Sequence, residues 1–191
     1  MKTNEKVITI TLIILVFTSI VSLKYNKKIT VTVENDKVLC ENKAVTVTTE
    51  TKEIVYDGMT LDELGEKLNK SLNSTVKGQG HIFAKYSIEY GVDPYLAVAV
   101  MLHETGCKWN CSGLAKKCNN YGGQKGSPSC NGGSYKKYET QEEGIKGYIS
   151  NLSKNYIKKG LTTPKQINKK YAEDPNWYKK IEKYIKEIKS K

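Results

Sequence analysis

From Leu96 to Leu102 the chain carries no polar side chain, and its flanks make that stretch helical. Asp93 is an N-cap, Pro94 takes the first helical position, and Gly106 stops a helix that runs over Tyr95 to Glu104. A helix that is apolar on every face has no side that tolerates water. It must run through the middle of a domain, and the remaining sequence must supply the elements that wrap it.

Those elements announce themselves through caps. Thr60-Leu61-Asp62-Glu63 is a capping box opening a helix through about Leu72. Gly78-Gln79-Gly80 breaks it, and a second helix follows over His81 to Tyr90. Thr140-Gln141-Glu142-Glu143 is another capping box, with Ile145, Tyr148, Ile149, Leu152 and Tyr156 at helical spacing behind it. Thr163-Pro164-Lys165-Gln166 caps a short helix. The last helix starts near Asn176 and turns Trp177, Ile181, Tyr184, Ile185 and Ile188 inward. Between them, Cys107 to Tyr138 reads as a Gly- and Cys-rich loop insertion holding at most a hairpin. The expected fold over 60–191 is therefore mainly α, a bundle around one buried helix.

The amino end has a different character. Val7 to Leu23 has no charge, roughly 17 residues or about 25 Å of helix, near the lower limit for spanning a bilayer. Ser19-Ile20-Val21 and Ser22-Leu23-Lys24, at the end of that run, make poor cleavage sites, so 1–28 reads as an uncleaved membrane anchor, with a cleaved signal and a secreted body as the alternative. Lys24, Lys27 and Lys28 match or outweigh Lys2 and Lys6, which by the positive-inside rule places the body in the cytoplasm. Over 29–59 the alternation of Ile29, Val31, Val33, Val45 and Val47 with polar residues reads as a short β-rich stalk.

Charge narrows the partners. The chain has 31 basic against 20 acidic residues, a net charge of +11, and every basic residue is lysine. Without arginine there is no planar fork for guanine or phosphate, which argues against a nucleic-acid partner. Lysine point charges suit a diffuse anionic envelope. Cys107, Cys111, Cys118 and Cys130 lie close together, with Cys40 apart. In an exported body the four read as two disulfides of open connectivity. Their intervals lack the C-x2-C pairing of zinc sites, so no metal is expected, and reduced thiols are the other reading.

One carboxylate stands out by position. Glu104 closes the apolar helix, just before the Gly106 turn. A helix C-terminus carries partial negative charge, and partial burial would act in the same direction. Both favour the protonated form that a general acid needs. His103, its neighbour in sequence, points about 100° away around the helix and reads as structural.

These residues resemble a known group. The run Pro94 to Gly106 ending in His103-Glu104-Thr105-Gly106 is similar to the helix end that delivers the catalytic acid in the lysozyme-like superfamily. Asn119-Asn120-Tyr121-Gly122-Gly123-Gln124-Lys125-Gly126 resembles an NNLFGIKG block of bacterial glucosaminidases, glycoside hydrolase family 73. Tyr135 to Tyr138 with Glu142 to Ile145, and Tyr171-Ala172-Glu173-Asp174-Pro175-Asn176-Trp177-Tyr178, resemble two further blocks of that family, in the same order.

The resemblance implies an endo-β-N-acetylglucosaminidase cutting peptidoglycan glycan strands, with Glu104 as general acid and then base. It implies that Tyr171 lies close to the scissile sugar, where it orients the N-acetyl group or stabilises the transition state. Asn119, Asn120, Tyr121, Gly122, Tyr135, Tyr138 and Trp177 become candidate glycan contacts. The substrate's acetamido oxygen can serve as nucleophile, so a second carboxylate need not be close; Glu139 and Glu142 are the candidates if one serves. Glu143 is better explained as the cap partner of Thr140. No cofactor is expected. Such a substrate puts the body outside the membrane, against the weak charge bias. A lytic transglycosylase or muramidase on the same fold is the nearest rival, and a non-catalytic glycan-binding module of an envelope apparatus the next.

Overall fold

The computed structural model describes residues 53–191. The anchor expected over 1–28, most of the stalk expected over 29–59, and Cys40 lie outside the described residues. Within 53–191 the chain is mainly helical. Its helices are α1 (Leu61–Asn69), α2 (Gly80–Tyr90), α3 (Pro94–Thr105), α4 (Gly113–Cys118), α5 (Gln141–Asn155), α6 (Pro164–Tyr171) and α7 (Trp177–Lys189). No described helix is long and apolar enough to cross a membrane.

The apolar run forms the centre. In α3 every residue from Pro94 to Leu102 is buried, and Thr105 with them. The Asp93 carboxylate accepts the Leu96 N–H at 2.8 Å, and Gly106 closes the helix in the left-handed region at φ 69°. Burying a side chain such as Leu96, Val98 or Met101 contributes about 2 kcal/mol, so each face of this rod adds to the stability of the domain. Thr105 turns its hydroxyl back onto the Met101 carbonyl at 2.6 Å and receives the Cys107 N–H at 3.3 Å, which ties the helix end to the next loop.

The surrounding helices pack their apolar stripes onto this rod. Helix α5 contributes Ile145, Tyr148, Ile149 and Leu152; α7 contributes Trp177, Ile181 and Ile188. Tyr156, Tyr184 and Ile185 are only partly buried at the edge of the core. The Tyr148 hydroxyl donates to the Ala97 carbonyl at 2.8 Å, so a polar group enters the core with its bond already made. Tyr56, ahead of α1, donates to Asp93 at 2.6 Å and meets Tyr95 edge-on, fastening the segment before the first helix to the start of the central one.

The local geometry departs from expectation in several places. Helix α1 ends at Asn69 rather than Leu72, with a 3-10 turn at Ser74–Val76. Gly80 begins α2 instead of only breaking the chain, because the Asn69 side chain accepts its N–H at 2.6 Å. At Thr140 the hydroxyl accepts the Glu143 N–H, but the Glu143 carboxylate takes the N–H of Glu139, one residue before the cap. Of the two expected boxes only that at Thr60 is complete, while Thr163, expected as a simple cap, forms a full box with Gln166.

The insertion is more ordered than a loop. Ser112 caps α4, whose start is hidden in sequence among glycine and cysteine, and disulfides join Cys107 to Cys111 and Cys118 to Cys130. Isolated bridges pair Lys125 with Tyr135 and Ser129 with Lys136, a hairpin in outline without regular strands.

Candidate active site

The site is built where α3 stops. Glu104 occupies the last turn of the buried rod, yet its own side chain is exposed, not partly buried as its position implied. The Trp177 indole N–H, from the first residue of α7, donates to its Oε1 at 3.1 Å. No other hydrogen bond or ion pair reaches this carboxylate from the described residues, which leaves the second oxygen for a ligand.

Trp177 itself is buried, 3% exposed, and stacks on Tyr171 with ring centroids 4.7 Å apart. Tyr171 in turn leans on Tyr156 at 5.5 Å. The aromatic row is anchored from below by α6: Asn168 accepts the Tyr178 N–H and donates to the carbonyls of Ala172 and Asp174, fixing the turn between α6 and α7. Asp174 is clamped by Lys180 at 2.8 Å, whose ammonium holds its carboxyl below the ordinary range. The sequence Tyr171 to Trp177 is thus a rigid turn that presents two rings to one carboxylate.

Burial, and after it the negative charge of Glu104, push the Tyr171 phenol well above its ordinary pKa. Tyr148, inside the core, is raised by burial first and then by the charges of Tyr171 and Glu104. Tyr171 therefore stays a neutral hydroxyl, a donor, throughout the neutral and mildly alkaline range. No described residue hydrogen-bonds its oxygen. An exposed carboxylate beside a half-buried neutral phenol can exchange a proton with a bound ether oxygen and hold a neighbouring amide or alcohol.

The other candidates divide. Tyr121 is fully buried, with its phenol pushed up to about 12 by burial, and Tyr138 is 8% exposed; neither offers a ring face to a ligand. Their place is set by α5, where a Cβ on Gly147 would lie 2.6 Å from the Tyr138 hydroxyl and one on Gly144 would lie 1.9 Å from the Asn119 carbonyl. Asn120 is buried and spends its amide on the carbonyls of Gln124 and Lys136, both at 2.8 Å. Asn119 ends α4 in the left-handed region and donates to the Tyr138 carbonyl at 3.1 Å. Gly122 makes room for the Tyr148 ring, 2.8 Å from where a Cβ would sit. Only Tyr135, 43% exposed, keeps the free ring expected of a sugar platform.

The two further carboxylates also differ. Glu142 accepts the Tyr86 hydroxyl at 2.7 Å and Lys85 at 3.3 Å, and these, the Tyr86 bond first, hold it below the ordinary carboxylate range. Glu139 is exposed and lends its N–H to Glu143. Among the described residues no group of three or more His, Cys, Asp or Glu could hold a metal ion.

This geometry sits inside a recognised family. The profile described as "Mannosyl-glycoprotein endo-beta-N-acetylglucosaminidase" matches residues 80–190, a span that contains Glu104, Tyr171 and Trp177. The chain belongs to the glucosaminidase family. Two proteins of Streptococcus pneumoniae, from strains TIGR4 and R6, each named "Putative endo-beta-N-acetylglucosaminidase", are 28% identical over 140 residues, 71% of this chain. The chain spans about a fifth of the length of these curated relatives, 21% and 20%. Among solved structures, S. aureus Autolysin E in complex with a muropeptide, NAM-L-Ala-D-iGlu, covers 91% of this chain and 90% of its own with a TM-score of 0.54. At 20% identity that likeness is one of fold. This glucosaminidase-family domain thus shares its helical architecture with an autolysin.

Proposed function

We propose that this chain is a cell-wall hydrolase that cleaves peptidoglycan glycan strands at N-acetylglucosamine. The observation that carries the reading is the placement of Glu104: at the end of the buried helix, within the family's matched span, fixed by Trp177 and next to the neutral Tyr171 phenol. In this reading Glu104 protonates the leaving glycosidic oxygen as the bond opens. Tyr171 donates to the N-acetyl group, whose oxygen attacks the anomeric carbon to form a cyclic intermediate. Glu104, now a carboxylate, takes a proton from the water that reopens it. No second protein carboxylate is needed, consistent with Glu142 being spent on Tyr86 and Lys85. Tyr135 lies along the glycan path as a stacking face.

The 1–28 segment anchors the chain and 29–59 spaces it, so that the body at 60–191 works outside the membrane where the wall lies. Digestion of purified wall followed by mass spectrometry of the fragments tests the bond. N-acetylglucosamine at the new reducing ends supports this reading; N-acetylmuramic acid or anhydro ends assign the chemistry to a muramidase or lytic transglycosylase.

A further inference from the structure

From Gly144 to Ala172 the chain carries seven lysines and no acidic residue. The lysine ion pairs among the described residues, Lys85–Glu142, Lys108–Glu187 and Lys180–Asp174, use none of these seven. The fold then gathers five of them around one point. The 3-10 turn Ile157–Lys159, closed by Gly160 at φ 77°, brings Lys159 to the end of α6, where its side chain comes within hydrogen-bond reach of Lys170. That neighbour, and after it slight desolvation, lowers the Lys170 ammonium from its ordinary value. Lys170 is held in this position: it donates to the Asn155 carbonyl at 3.2 Å and lies over the Tyr156 ring at 5.4 Å. Lys154, Lys158 and Lys169, the chain neighbours of Asn155, Lys159 and Lys170, are all exposed. Two like charges in contact repel, and no described carboxylate pairs with either. An anion that bridges them turns that repulsion into attraction.

We propose that Lys159 and Lys170, flanked by Lys154, Lys158 and Lys169, dock a flexible polyol chain linked by phosphodiesters, a polymer distinct from the glycan that Glu104 meets. The two free oxygens of one phosphodiester take the two ammonium groups of the pair, and the flanking lysines take the next charges along the chain. A bilayer surface fits less well. The large apolar side chains exposed among the described residues, Ile54, Leu61, Ile88, Trp109 and Tyr135, all lie outside 144–172, so the patch has nothing to insert. A nucleic acid fits less well too, because its bases need an open ring to stack on. Tyr156 and Tyr171 are partly buried and lean on each other at 5.5 Å, and the chain has no arginine. Since Tyr156 lies under Lys170 and against Tyr171, the docked polymer holds the protein close to the Glu104 site through groups that take no part in cleavage.

The test is calorimetric titration of the full chain in detergent micelles with a synthetic glycerol-phosphate oligomer. The expected dissociation constant is on the order of ten micromolar at low salt and weakens steeply as salt is raised. Lys159→Gln combined with Lys170→Gln is expected to weaken binding at least tenfold. Lys183→Gln combined with Lys186→Gln, two exposed lysines of α7, removes the same net charge and is expected to change it less than twofold. No binding, or an equal loss in both double variants, overturns the proposal, the latter because net charge alone then explains it. Glycerophosphoglycerol binding as tightly as the oligomer overturns it in favour of a single lipid headgroup, and a thymidine oligomer of equal charge binding more tightly overturns it in favour of nucleic acid. The Lys159→Gln and Lys170→Gln double variant is expected to cleave phosphate-free soluble wall fragments within about twofold of the parent; a large loss there would place the pair in the glycan groove and overturn the separate site. Binding is read without any cleavage, so failure of the hydrolase reading leaves this outcome to be decided by itself.

Discussion

The indole N–H of Trp177 donates to Oε1 of Glu104 at 3.1 Å, across 73 positions of sequence. A carboxylate on the last turn of a helix has free rotation about its side-chain bonds, and this single bond is what fixes it. The fixing group is itself buried and stacked on Tyr171, so the aim of the carboxylate is inherited from the packing of α6 against α7. Trp177→Phe keeps a ring and removes the donor. We expect kcat/KM on wall fragments to fall about tenfold, in line with about 1.5 kcal/mol for a hydrogen bond to a charged group, with the melting temperature lowered by a few degrees because the smaller ring underfills a buried site. An unchanged kcat/KM would show that the bond does not position the carboxylate.

Tyr171→Phe removes a neutral donor rather than a charge. The expected effect is a fall in kcat of about a hundredfold with KM moved much less, because a group that aids the transition state costs rate when lost. Since burial and Glu104 raise the phenol, its ionisation does not limit activity between pH 7 and 10. A pH–rate profile in which Tyr171→Phe abolishes an alkaline limb below pH 10 would contradict this.

Stability responds to the same tyrosines at higher pH. Tyr121, Tyr148 and Tyr171 hold their protons above the ordinary value of 10, with Tyr121 at about 12. Their folded-state pKa values are raised, so the unfolded chain loses these protons first, and stability that is full below pH 10 declines as pH rises through the folded values. The melting temperature is expected to be flat from pH 7 to 9 and to drop by on the order of 10 °C between about pH 10 and 12. Circular dichroism melts across that series check it.

Much of the helical frame is legible from local chemistry. Asp93-Pro94 and Gly106 bracket α3, the Thr60 box closes and Thr163 caps its helix as read, because caps join residues only a few positions apart, though at Thr140 the Glu143 carboxylate turns to Glu139 instead. The site is legible only in its ends: Glu104, Tyr171 and Trp177 stand out through position and family resemblance, while the bond between two of them does not. Tyr121 and Tyr138 show why. Their aromatic faces look available in sequence, but Gly144 and Gly147 on α5 open the space that buries them, and that fit exists only after α4 and α5 meet. Helix α4 is obscured for a different reason, since Gly113 and Cys118 at its ends read as loop.

That fit is itself testable. A methyl group on Gly144 would stand 1.9 Å from the Asn119 carbonyl, a backbone atom that cannot step aside cheaply. Gly144→Ala is expected to cost about 2–4 kcal/mol in urea unfolding, despite the higher helix propensity of alanine. A neutral or stabilising effect would show that α4 and α5 are not in close contact.

Glu142→Gln separates the carboxylates. Its partners Tyr86 and Lys85 already hold it, so activity is expected to stay within about threefold of the parent. A loss of a hundredfold or more would assign Glu142 to the reaction.

The most direct measurement is wall clearing by Glu104→Gln, run beside the parent in a gel impregnated with purified cell wall, with circular dichroism on the same preparation. The expected result is a folded protein with its parent melting temperature and no clearing band, because the amide cannot donate or accept the proton that bond cleavage needs. A folded Glu104→Gln that still clears the wall would contradict the role given to this carboxylate, and with it the account of the site.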